Sequence, residues 1–175
     1  RLGTDHIDLY MVHFWDPYVE LEETLATLGS LVQEGKVRHI GASQHTPRQF
    51  REAAKVSEKL GTPQYEAVQI RLNLLEPEAR SKFLPTLRNQ GAGALVHQSL
   101  AEGFNRKTKP EGLGALQTYT DRYWNSDSLS IAEQLAGIAR EEKTTVTGLA
   151  LGWVLAQLSV AGLLLGPDSP KELRR

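Results

Sequence analysis

The 175-residue sequence contains no cysteine. Disulfides, thiolate nucleophiles and zinc–thiolate sites are thereby excluded, and cytoplasm is the expected compartment. Nor does one sign of charge dominate: 20 Lys and Arg stand against 21 Asp and Glu, for a net charge of −1. With no basic stripe and no interleaved aromatics, neither nucleic acid nor an acidic membrane surface is expected as a partner. No metal centre and no signal peptide are expected. One run without charge, Thr144 to Pro167, is long enough to span a bilayer. Gln157-Leu158-Ser159 breaks it, and Thr144, Thr145, Gly148, Gly152 and Gly162 dilute it, so a buried helix followed by a buried strand is expected there. The chain opens on Arg1-Leu2-Gly3, which reads as the end of a helix, and near its far end Ser169-Pro170 announces a helix scarcely begun. It is read as a segment of a longer protein.

What the chain does contain is an alternation. Ile7-Asp8-Leu9-Tyr10-Met11-Val12 is an apolar run that ends in His13, Phe14, Trp15 and the turn signal Asp16-Pro17, a strand with a polar tip. Leu21, Leu25, Leu28 and Val32 then share one helical face, with Glu20, Glu22 and Glu23 at its start and Gly35 past its end. Val37 to Ser43 reads as a strand, and Thr46-Pro47 supplies an N-cap and a first-position proline for a helix running to Gly61. A strand from Ala67 to Ile70, one helix from Glu78 to Gln90 and a strand from Ala94 to His97 continue the rhythm. A loop from about Ser99 to Asp127 interrupts it before helices over Ser128 to Glu142 and Val146 to Gln157 and a strand over Val160 to Leu165.

Strands and helices at this spacing predict an α/β domain over residues 1–175 with five parallel strands. His13, Ser43, Gln69, His97 and Gly166 fall at or near strand carboxyl ends, the edge at which such sheets bind ligands. Three of them have a plainer reading. His13 serves equally as a core histidine with backbone partners, Ser43 as a cap of the next turn, and Gln69 as a bond to a neighbouring strand.

Three motifs carry a more specific likeness. Gly3-Thr4-Asp5-His6-Ile7-Asp8-Leu9-Tyr10-Met11-Val12-His13, then Gly35-Lys36-Val37-Arg38-His39-Ile40-Gly41-Ala42-Ser43, then Gln69 with Asn73-Leu74-Leu75, resemble the aldo-keto reductases. The likeness spans essentially the whole chain, from about the family's fourth strand to its eighth, and so implies a partial (β/α)8 TIM barrel. Sheet edges left open in a partial barrel favour self-association.

The resemblance further implies an oxidoreductase that reduces aldehydes or ketones with NADPH. Of the family's four chemical residues, an aspartate, a tyrosine, a lysine and a histidine, only the histidine has a counterpart here, His13. A nitrogen of its ring would donate to the substrate carbonyl oxygen and polarise the carbon. The segment alone, without the other three, is expected to be inactive.

Ser43 and Gln69 match positions that hold the nicotinamide carboxamide, and Gln44 stands beside them where relatives often have asparagine. His97 takes the place of a tyrosine that stacks on the nicotinamide ring; an imidazole titrating near neutral pH would make that stacking weaker and pH-dependent. Leu100 and Gly166 fall on cofactor-side loops. Asp168 stands close to where relatives set a basic residue against the 2′-phosphate, so NAD is admitted beside NADP, unless a one-residue shift presents Lys171. The long loop, with Tyr119, Tyr123 and Trp124, is a candidate wall of the substrate pocket. The alternative function is a non-catalytic, nucleotide-binding sensor or partner subunit of the same family.

Overall fold

The computed structural model of the chain describes residues 3–101, 122–167 and 169–170. Asp168, Lys171 and Tyr119 lie outside them. Five strands are ordered β1-β2-β3-β4-β5 in one sheet: β1 is Ile7–Val12, β2 Val37–Ser43, β3 Ala67–Arg71, β4 Gly93–His97 and β5 Val160–Leu163. Between them run α1 (Leu21–Gln33), α2 (Pro47–Leu60), α3 (Glu78–Lys82), α4 (Leu84–Asn89), α5 (Ser126–Glu141) and α6 (Val146–Leu155). Parallel strands alternate with helices, as in part of a (β/α)8 barrel. By their internal contacts the residues form two compact units, residues 1–70 with 79–95 and residues 71–78 with 96–175.

In the first unit, β1 and β2 pair in parallel with Val12 opposite Ala42, and β2 and β3 pair with Ser43 opposite Gln69. That register puts Ile40, Ala42, Val68 and Ile70 on one face, and all four are buried. The opposite face carries Leu9, Met11, Ala67 and Gln69, which are half-buried. Two-fold alternation thus separates a finished core from a face that is only partly buried. Leu25 and Leu28 of α1, Phe50 and Ala53 of α2, and Leu84 and Leu87 of α4 are the helical side of the core. At Gly41 a Cβ would lie 2.8 Å from the Ala67 carbonyl oxygen, so the approach of β2 to β3 requires glycine.

Local signals set the ends of α2. Thr46 accepts from the Gln49 amide while the Gln49 side chain accepts from the Thr46 amide, Pro47 opens the helix, and Gly61 closes it in the left-handed conformation at φ 66°. The single helix expected over Glu78 to Gln90 is instead two short ones. Pro85 has no N–H to give and its ring crowds the carbonyl four residues back, so the helix is distorted at Phe83 (φ −119°, ψ −45°), which keeps its amide bond to the Ala79 carbonyl, and α4 begins at Leu84 with proline in its first turn.

In the second unit, the expected strand from Val160 to Leu165 ends at Leu163, although the Leu164 amide still donates to the Val96 carbonyl at 2.8 Å. α5 starts two residues before the expected Ser128, because Asn125 caps it by accepting from the Ser128 amide at 3.0 Å. The uncharged run is divided into α6 and β5 as expected, and among the described residues no helix is long and apolar enough to cross a membrane.

Candidate active site

Strand register brings two of the expected cofactor residues together. Ser43 and Gln69 are cross-strand partners at the carboxyl ends of β2 and β3, with side chains on the partly buried face. Ser43 is buried, and its hydroxyl has no hydrogen-bond partner. A buried hydroxyl without a partner forfeits about 1–3 kcal/mol, which a ligand able to bond it would recover. Gln69 beside it is half-buried.

Gln44 behaves differently. It sits in the left-handed region at φ 55° with an exposed side chain, and its amide donates to the Gln69 carbonyl at 3.2 Å. Its backbone, then, ties the two strand ends. His13 is the first residue past β1, on a strand whose Val12 is level with Ala42; it is exposed, and its ring lies 4.0 Å from that of Phe14. It is not a core histidine.

Two residues beyond Ser43 lies a buried histidine that sequence reasoning passed over. His45 donates from Nδ1 to the Ser43 carbonyl at 2.9 Å and packs edge-on between Trp15 and Tyr65. A carbonyl only accepts, so the proton is on Nδ1 and Nε2 is an acceptor. Burial holds the His45 pKa below its usual value, the Ser43 bond opposing only in part. Tyr65 is buried too, its hydroxyl unpartnered and its pKa pushed up to about 12 by burial. The signal available in the sequence was Ser43-Gln44-His45 itself, three polar residues at a strand end.

In the second unit, His97 closes β4 and is half-buried. Burial, and then the nearby Arg71 cation, lower its pKa. Both influences disfavour the imidazolium. Leu100 is half-buried, and Gly166 is exposed three residues past the end of β5. Asp168 lies outside the described residues.

Tyr123, expected in a loop wall, is instead buried at 1% exposure within a network built on Asn73. Asn73 Oδ1 accepts from the Leu75 and Glu76 amides at 2.9 and 2.8 Å. Its Nδ2 donates to the Gln98 carbonyl at 3.1 Å and to the Tyr123 hydroxyl at 3.2 Å. That hydroxyl donates in turn to Glu76, whose carboxylate also meets Arg122 at 2.8 Å and Arg71 at 3.6 Å. Tyr123 and Ala101 form a small core against which Leu75, Trp124, Ala132 and Leu135 pack. Among the described residues no cluster of His, Asp and Glu is placed to hold a metal ion.

Parallel strands alternating with helices, with polar side chains at their carboxyl ends, define an α/β protein of the barrel class. The pattern of the Aldo/keto reductase family matches residues 1–175, and the chain belongs to that family. It is similar to the NADH-specific methylglyoxal reductase of Escherichia coli (strain K12), with 28% identity over 182 residues, covering 99% of this chain and 54% of that protein. It is also similar to Probable aldo-keto reductase 1 of Glycine max, with 32% identity over 165 residues and 90% and 45% of the two chains covered. Among solved structures, a glycerol dehydrogenase from Gluconobacter oxydans shares the fold at a TM-score of 0.82 and 24% identity, over 97% of this chain and 52% of its own. The chain spans about half the length of the curated relatives it matches.

Proposed function

We propose that this chain contributes the nicotinamide-binding strand ends and the carbonyl-orienting histidine of an aldo-keto reductase that reduces aldehydes or ketones with NADPH or NADH. The observation that carries this reading is the unpartnered, buried Ser43 hydroxyl beside Gln69. A carboxamide has one acceptor oxygen and two N–H donors; a hydroxyl and a glutamine amide between them can satisfy both kinds. The residues present therefore fit the nicotinamide group, which when bound supplies the hydride. Ser43 and Gln69 would hold the carboxamide, with the Gln44 amide fixing their strand ends. His13 would donate a ring N–H to the carbonyl oxygen, orienting it and drawing charge from the carbon. The exposure of His13 leaves it accessible to substrate.

Two observations support the inclusion of NADH: the carboxylate of Asp168, which would repel a 2′-phosphate, and the similarity to the NADH-specific methylglyoxal reductase of Escherichia coli. The test is a fluorescence titration of this chain with NADPH and NADH. Ser43→Ala and Gln69→Leu should each weaken dinucleotide binding about tenfold, the equivalent of about 1.4 kcal/mol. Unchanged binding in both variants would refute the assignment. In a protein carrying this segment together with the remaining catalytic residues, His13→Ala should lower kcat/KM about 100-fold or more with a generic aldehyde.

A further inference from the structure

A cavity of about 170 Å³ lies in the first unit, and neither Ser43 nor Gln69 lines it. Val12 of β1, Leu21 of α1 and Trp15 give it apolar walls, and His45, Tyr65 and Asp16 also line it. Its volume is close to that of the roughly 150 Å³ cavity known to bind benzene, so a single aromatic ring fits. Unlike such an apolar cavity, it is bordered by two buried polar groups with unused bonding capacity. His45 has committed Nδ1 to the Ser43 carbonyl and keeps Nε2 as an acceptor, while the Tyr65 hydroxyl has no partner at all.

We propose that this cavity is a second ligand site, selective for a small neutral phenolic ring. The ring would fill the space between Trp15, Val12 and Leu21. A hydroxyl donates and accepts through a single oxygen, so it can donate to His45 Nε2 and accept from Tyr65. Benzene satisfies neither group. A carboxylate cannot donate to Nε2, and it would meet the like charge of Asp16, whose Oδ1 already accepts from the Tyr18 amide at 2.9 Å. The site goes beyond the reductase reading and uses none of the residues assigned there to cofactor or carbonyl.

The experiment is a calorimetric titration of the chain with phenol and, separately, with benzene, in the absence of nicotinamide nucleotide, with the His45 imidazole nitrogens followed by NMR. Phenol should bind saturably, about tenfold more tightly than benzene, and should shift the Nε2 resonance. Tyr65→Phe removes only an unpartnered hydroxyl, so the fold should survive while the preference for phenol over benzene shrinks several-fold. Leu21→Trp fills the cavity from α1 and should abolish binding of both. Phenol binding no tighter than benzene, an unmoved Nε2 resonance, or the same preference in Tyr65→Phe as in the parent chain would each overturn the proposal.

Discussion

Removing the hydroxyl of Tyr123 tests the buried network of the second unit without opening a cavity. In Tyr123→Phe the ring stays in its contacts with Ala101 and its neighbours, and what is lost is a hydrogen bond to a carboxylate together with one accepted from Asn73. Neither partner is orphaned. Asn73 Nδ2 retains the Gln98 carbonyl, and Glu76 retains Arg122 and Arg71. The loss should therefore be that of a charge-assisted bond, about 1.5–3 kcal/mol, with no added penalty for a stranded group. For a chain of this size that corresponds to a fall in Tm of roughly 3–12 °C. Asn73→Ala should cost more, since the buried Oδ1 that caps two backbone N–H groups disappears with no substitute. The assay is urea unfolding of the two variants and the parent, read from midpoints at constant m. A Tyr123→Phe change within about 0.5 kcal/mol of the parent, or a larger loss than that of Asn73→Ala, would refute this account of the network.

Gly41→Ala should destabilise by about 1–3 kcal/mol in the same assay, because the new Cβ meets the Ala67 backbone at 2.8 Å and the Met11 side chain at 3.2 Å. Thr46→Ala removes the side chain that caps α2 and should cost about 0.5–2 kcal/mol, whereas Thr46→Ser should be close to neutral. Stability should also fall as pH is lowered below neutrality. His45 and His97 have folded pKa values below that of the unfolded chain, so the unfolded state takes up protons first as pH drops through about 6.5, and stability is lost from there downward. Each histidine contributes a slope of at most about 1.4 kcal/mol per pH unit, and His97→Gln should reduce the slope measured between pH 7.5 and 5.5. A flat profile in the parent would show that neither ring is held neutral by the fold.

The elements that sequence reasoning recovered best are those whose ends carry side-chain instructions. α2 has its Thr46, Pro47 and Gly61, and β2 and β3 have an alternation that fixes which residues face the core. Where the interruption lies in the backbone of a single residue, periodicity is blind to it: Phe83, Leu84 and Leu87 are all buried, yet Pro85 interrupts the one helix expected to carry them. Side-chain networks are harder still. Asn73, Glu76 and Tyr123 come together across 50 positions of sequence, and no local spacing announces that a loop tyrosine will point at a turn asparagine. His45 and Tyr65 were missed for a related reason: neither lies at a position where strand period or family likeness marks a ligand.

The dihedral angles show that two of the strand ends are built alike. Directly after Ser43 the chain enters the left-handed region at Gln44, and directly after His97 it does so again at Gln98, each at φ 55°. For a residue with a side chain this conformation costs about 1–2 kcal/mol. The same turn follows two different strands, and it has the same consequence at each. The last strand residue ends the ladder, while the next residue is turned out of strand register so that its side chain cannot extend the alternation. In the first unit the turn also aims the Gln44 amide at the Gln69 carbonyl, which ties adjacent strand ends together. In the first unit the strain lies beside the residues proposed to hold the cofactor. If Gln44 acts through its backbone amide and not its side chain, Gln44→Gly, which relieves the strain and keeps that amide, should bind nicotinamide nucleotide as the parent chain does. A loss of binding in Gln44→Gly would return the role to the side chain.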